Sequence, residues 1–362
     1  MAGLAPDCTD RSLIRVAPTD SSPERPLRRG DVVEVRSPEE ILATLDGDAR
    51  DHVPFMPEML RHAGRRYTVS RRVDKICDTV TATGSRRMQA TVFLEDLRCD
   101  GSAHGGCQAG CKLYWKEAWL RRVDADAEPE AAPDQAPSPA LEAVAEAGTR
   151  TVREGETEEV WRCQATEALK ATEQARVFKD PEQYWREFNN GNFGRLRFIA
   201  LMVRALYMEV AVRLGLLKGQ PLRGPEPKSP PTEPLHLQPG ELVQVRSPAE
   251  IEATLDERGF NRGLSFDREM LRYCGQTLRV RERVTQLIDE YTGHMLHPPR
   301  DCILLEGPVC SGECSTGRWF CPREVYPFWR EAWLRRVEQP VNGGAQVARE
   351  GVPGAKVSGS AP

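Results

Sequence analysis

Cysteine is the residue whose placement in this chain speaks most directly of chemistry. Of 11 cysteines, eight gather into two sets: Cys77, Cys99, Cys107 and Cys111, then Cys302, Cys310, Cys314 and Cys321. Thiolates that converge on one point form the tetrahedral sites zinc prefers, hold iron–sulfur clusters, or exchange disulfides. Most of them sit in glycine-bearing loops, and glycine lets a loop fold tightly enough to bring ligands together. The spacings are C-x7-C-x3-C in the first loop and C-x3-C-x6-C in the second. Neither is the C-x2-C of zinc ribbons and redox pairs, nor a cluster signature. The number of thiols, not their motif, therefore points to a metal, with zinc expected ahead of an iron–sulfur cluster. Reduced cysteines packed as small core residues are the plain alternative. His104 lies inside the first loop and could stand in for Cys111 as a ligand, although the second loop has no histidine. Cys163 and Cys274 fall outside both sets, and Cys8 lies in the N-terminal tail.

Other chemistries have little support. The 362 residues carry a net charge of −4, which leaves no basic footprint for nucleic acid. No phosphate loop, nucleophile elbow or HExxH occurs, and there are only 6 histidines, so no catalytic residues can be assigned. The first residues lack an apolar run of signal-peptide length, so a cytoplasmic chain with reduced thiols is expected.

The elements that must position these thiols come in two copies. GDVVEVRSPEEILATLD opens at Gly30 and GELVQVRSPAEIEATLD at Gly240; Phe-x-x-Glu-Met-Leu-Arg follows at Phe55 and Phe266. The copies close on WKEAWLRRV from Trp115 and WREAWLRRV from Trp329. Matches this dense at both ends are duplication. Each copy starts with a short strand and a Ser-Pro-x-Glu helix start, at Ser37 and Ser247, predicting two or three helical turns through Leu45 and Leu255. A second strand after the glycine and a hairpin complete a pattern that predicts an α+β chain of two tandem β-rich, SH3-like barrel modules with a helical insertion between them. The tryptophans at the closing segments are expected as core anchors. The expected boundaries are a disordered tail (1–27), module one (28–123), an acidic Ala/Pro linker (124–158), a helical segment (159–220), a Pro-rich linker (221–238), module two (239–337) and a second disordered tail (338–362). Residues 193–217 are the most apolar run, but arginines interrupt it too often for a membrane span. An amphipathic helix packed on a module is the first expectation, and a protein partner or a membrane surface the second.

The hairpin cysteines differ between copies. Cys77 aligns with Ile288, and Cys302 with Thr91. A hairpin turning around Gly84 would set residues 77 and 91 opposite one another, on the same face. Each module would then deliver a thiol to one location from opposite arms, completing two four-cysteine sites.

The segments CDGSAHGGCQAGC, WRCQATE and CPREVYPFWREAWLRRV resemble a family of uncharacterised bacterial two-module proteins, several encoded among genes for specialised-metabolite or polysaccharide biosynthesis. The likeness spans the chain apart from the tails and the acidic linker. It implies organisation, with Cys99, Cys107, Cys302, Cys310 and Cys321 in recurrent motifs, and no activity. Three function classes stay open. The foremost is a non-catalytic accessory or interaction protein with structural zinc. The others are a metal-dependent enzyme acting on a small or carrier-bound intermediate between the modules, and a thiol redox protein.

Overall fold

Both openings fold as their sequence directs. Val32–Val35 and Leu242–Val245 are strands whose alternate valines, Val33 and Val35, Val243 and Val245, are fully buried. In the capping box that follows, Ser37 Oγ accepts from the Glu40 amide at 3.3 Å while the Glu40 carboxylate accepts from the Ser37 amide at 3.0 Å. Ser247 and Glu250 repeat it. The helices are shorter than expected, Pro38–Leu42 and Pro248–Glu252. The chain leaves the helix so that the next threonine can reach the closing tryptophan: Trp119 Nε1 donates to Thr44 Oγ1, and Trp333 Nε1 to Thr254 Oγ1, both at 3.1 Å.

The computed structural model describes residues 25–81, 84–124, 138–175, 182–216, 220–314 and 318–337. It is an α+β structure of small antiparallel sheets with few helices. In the first module Arg66–Arg72 pairs with Val32–Val35 on one side and with Thr91–Leu94 on the other. Val32–Val35 also pairs with Leu120–Arg122, and Thr91–Leu94 with Trp115–Lys116. In the second module Ile303–Leu305, Thr277–Arg283, Leu242–Val245 and Leu334–Arg336 follow the same order. A bulge recurs at the matching place, between Val69 and Arg71 and between Val280 and Glu282. Among the described residues both sheets run from one edge strand to another without closing on themselves.

One aromatic nucleus supports each sheet. Phe55 stands edge-on to Trp115 and Trp119 at 6.5 and 5.3 Å, as Phe266 does to Trp329 and Trp333 at 6.2 and 5.2 Å. All four tryptophans are fully buried. Removing either phenylalanine leaves a cavity that rigid indoles cannot fill, so Phe55→Ala and Phe266→Ala are each expected to lower stability by about 3–5 kcal/mol. Urea denaturation measures this, and a loss below about 1 kcal/mol would show that the nucleus repacks.

Four expectations need correction. The segment 159–220 is not helical throughout. Glu159–Trp161 is a strand paired with Arg150–Val152, Glu173–Gln174 pairs with Ser85–Arg87, and among the described residues of the segment helices occupy only Glu182–Asn189 and Arg195–Arg213. The linker carries a helix, Pro139–Ala147, that buries Leu141 and Ala145 against the first module; residues 125–137 lie outside the described residues. The tails fall almost wholly outside them, except that Leu27 is packed into the first core. The hairpin register also differs. Cys77 faces Ser85, and Val73, not Cys77, meets Thr91, the Val73 amide donating to the Thr91 carbonyl at 2.9 Å. The turn is set early by Asp78, whose Oδ1 accepts from the amides of Val80 and Thr81. Asp289 does the same for Tyr291 and Thr292 in the second copy. Cys77 and Cys302 therefore occupy different places, one at a hairpin tip and one at a hairpin base.

Candidate metal centre

The site begins with two elements of the first module. Glu58 lies on the 3₁₀ turn Pro57–His62. Opposite it, the chain after Cys99 doubles back at Gly101, whose φ is +74° and where a side chain would strike the Cys107 carbonyl. That fold lets the His104 and Gly106 amides donate to the Gly101 carbonyl, both at 2.9 Å, and turns His104 inward. Glu58, Cys99 and His104 thereby bring one ligand atom each to within 4.8 Å of one another. His104 Nδ1 lies 3.8 Å from Glu58 Oε1 and 4.0 Å from Cys99 Sγ. A tetrahedral zinc with bonds of about 2.0–2.3 Å sets donor separations of about 3.3–3.8 Å, so a small contraction would seat the ion.

The electrostatics favour a cation. The side chains of Glu58 and His104 are each 1% exposed, and no well-formed hydrogen bond reaches either Glu58 oxygen or His104 Nε2, the Cys99 thiol and the His104 ring being set against the carboxylate. A carboxylate buried in this way is costly unless a positive charge compensates it. His104 does not supply that charge readily, since burial holds its pKa down against the opposing pull of Glu58. Burial, reinforced by Glu58, pushes the Cys99 thiol far up. A metal ion would reverse that shift, because a coordinated thiol is deprotonated. A Glu–Cys–His cluster able to hold a metal is thus present, and its donor set does not fix which metal.

Its counterpart in the second module is filled by the protein. Glu269, at the Glu58 position, accepts from the amides of Ser311, Glu313 and Cys314 at 3.2, 3.1 and 2.9 Å, from Ser311 Oγ at 2.8 Å, and from Arg272 at 3.1 Å. Duplication has left one open carboxylate and one saturated carboxylate.

The remaining thiols lie outside that group. Cys77 crosses to the second module, where its amide donates to Cys321 Sγ at 3.2 Å. In the matching crossing, the Ile288 amide donates to Cys107 Sγ at 3.3 Å. Each hairpin tip thus caps the other module's cysteine loop. The hydrogen bond with Cys321 pulls the Cys77 thiol down to about 6, whereas burial first, and then Cys77 itself, raises Cys321. Cys302 packs with Val284, Leu304 and Tyr326, and burial pushes its thiol up to about 11. Burial, then Glu269, pushes Cys310 up to about 12. Cys314 Sγ lies 3.6 Å from Arg204. The Cys111 carbonyl accepts from the Cys99 amide at 2.8 Å, but its sulfur stands apart from the Glu–Cys–His group. All ten described cysteines are free, and among the described residues Glu58, Cys99 and His104 are the one group of three or more such donors. Neither predicted set of four thiols is drawn into one group: the early hairpin turn sends Cys77 across the module boundary to Cys321, and Cys302 packs with Val284, Leu304 and Tyr326.

A cavity of about 360 Å³ lies in front of the cluster, with Glu58, Cys99 and His104 in its wall. Cys107, Cys111 and Tyr114 come from the first module, Ile288 and Arg323 from the second, and Cys163 from the insertion. Burial pushes Cys111 up to about 12 and Cys163 up to about 11, so both face the cavity as neutral thiols. Sequence reasoning missed Glu58 and Cys163. Both sat in segments already conspicuous, the repeated Phe-x-x-Glu and WRCQATE. In the latter Gln164 sets the loop, its Oε1 accepting from the Tyr114 amide at 2.7 Å and its Nε2 donating to Pro54 and Tyr114 carbonyls. Buried Arg323 joins the hairpin tips by donating to Thr79 Oγ1 at 2.8 Å and Glu290 at 2.7 Å.

Beside the site, His62 is held neutral. Its Nδ1 is 2.6 Å from the Tyr67 hydroxyl, and its Nε2 accepts from Arg61 at 3.3 Å. Burial first, then Arg61 and Arg65, hold its pKa down to about 4. A depressed histidine pKa means the unfolded chain binds the proton more readily. The His62 contribution is therefore whole above pH 6.5 and declines as pH falls from 6.5 towards 4. Stability is expected to fall across that window and to fall less in His62→Phe, read as urea midpoints at stepped pH. An equal slope in both proteins would contradict this.

No known family model, no curated protein and no solved structure matches the chain. Among the described residues no helix is long and apolar enough to cross a membrane.

Proposed function

We propose that the protein binds one zinc ion through Glu58, Cys99 and His104, and that this ion faces a small molecule held between the two modules. The observation that carries this is the buried Glu58 carboxylate, which no well-formed hydrogen bond satisfies and which faces a histidine and a thiol. Thiolate, imidazole and carboxylate together suit zinc better than they suit calcium or magnesium, which take oxygen donors. Three protein ligands beside a cavity leave a coordination position for water or a substrate atom, as in zinc centres that do chemistry. Such an ion would polarise a bound carbonyl or activate a water, while Tyr114 and the neutral thiols of Cys111 and Cys163 shape the chamber.

This favours the metal-dependent, small-molecule role over a purely structural zinc, which would be closed by four protein ligands. The two tandem β-rich modules, SH3-like in their succession of short strands, would clamp the chamber from either side. The resemblance to bacterial proteins encoded beside biosynthetic genes suggests a small or carrier-bound intermediate as the molecule held, in a reducing, cytoplasmic setting. Elemental analysis of purified protein tests the centre. One zinc per chain is expected, with no visible absorption. Iron with a charge-transfer band would overturn it in favour of a cluster, and two zinc ions per chain in favour of two thiolate sites.

A further inference from the structure

The helix Arg195–Arg213 is apolar on two opposite faces. One face, carrying Phe198, Leu201, Ala205 and Met208, packs in a cluster with Trp319 and Phe320 of the second module's cysteine loop. The other presents Leu196, Ile199, Val203, Leu206, Tyr207 and Val210 to solvent, from 44% exposed at Val210 to 85% at Leu196. Residues 196, 199, 203, 206 and 210 advance by three, four, three and four, the a and d positions of a heptad seam.

The geometry points to a second copy of this chain as the occupant of that seam, the two helices running antiparallel about a two-fold axis. Three features support this choice. An alternating three–four spacing is self-complementary under a two-fold, which would set Val203 against the partner's Leu206 and Ile199 against the partner's Val210. The six side chains expose on the order of 700 Å², above the ~300–600 Å² of a usual monomer patch. That approaches the ~800 Å² each partner gives to a standard interface. Charge argues against an anionic membrane, because the arginines of this helix are engaged by their own chain. Arg197 pairs with Glu313 at 2.7 Å, Arg204 reaches the Cys314 sulfur, and Arg195 lies 5.7 Å from the Phe188 ring centroid. They form no free basic rim beside the apolar stripe.

Light scattering coupled to size exclusion, at tens of micromolar chain, tests the proposal. The expected mass is twice 40.6 kDa, falling to a single chain in the Val203→Glu, Leu206→Glu double variant and in Ile199→Lys. These positions face solvent, so circular dichroism should keep its helical signal in each. A wild-type monomer, or an oligomer indifferent to these substitutions, would overturn the proposal. So would a monomeric wild type that sediments with phosphatidylserine vesicles while the variants do not, which assigns the stripe to a membrane surface. Zinc content should be the same in all of these proteins, so the seam and the metal centre can fail independently.

Discussion

Glu58→Gln is expected to abolish zinc binding while leaving the metal-free protein as stable as the wild type, or more so. The substitution keeps the side chain's shape and removes its charge. Without metal that charge is a buried liability, since no well-formed hydrogen bond satisfies either oxygen and a poorly compensated buried charge is costly. With metal it is a ligand, and its loss should weaken binding by more than about 100-fold, since removing even the groups that orient a ligand costs 10–100-fold. The two proteins should thus exchange order. In chelator the variant melts at or above the wild type. In zinc at a hundred times its dissociation constant, the wild type gains about 2.7 kcal/mol that the variant does not. His104→Ala should lose zinc as well. A Glu58→Gln protein that retains a full equivalent of zinc would remove Glu58 from the centre.

The equivalent change in the second module has the opposite outcome. Glu269→Ala should retain zinc and lose about 3–5 kcal/mol of stability, because it strips a buried group from its partners. Three amides, at Ser311, Glu313 and Cys314, together with Arg272, depend on that one carboxylate. Each buried donor left unpaired costs about 1–3 kcal/mol. Chemical denaturation alongside zinc analysis reads both quantities. A large zinc loss with little change in stability would mean that the ligand set lies in the second module.

The contrast between these two glutamates shows what the sequence could convey. The repeat, its capping boxes at Ser37 and Ser247 and its tryptophan anchors were legible because local bonding rules fix them: serine caps, proline starts and fully buried indoles. Histidine in the first loop and its absence from the second were legible too, and His104 proved to belong to the cluster. Less legible was anything that depends on where the hairpins end. Asp78 sets its turn a few residues before Gly84, and that shift decides that Cys77 meets Cys321 instead of Thr91. Periodicity cannot register such a shift, because both hairpins read as strand, turn, strand. Glu58 stayed hidden for a related reason: its motif is identical in both copies, and only the loop folded over it differs. The segment 159–175 misled through composition, its Ala, Glu and Leu content suggesting helix where two short strands flank a run of turns.

X-ray absorption at the zinc edge tests the central claim most directly, because the centre and its main rival differ in how many sulfurs surround the metal. One sulfur near 2.3 Å with two or three nitrogen or oxygen donors near 2.0–2.1 Å is the shell expected for Glu58, Cys99, His104 and an exchangeable fourth donor. Three or four sulfurs would contradict it and return the metal to the cysteine loops.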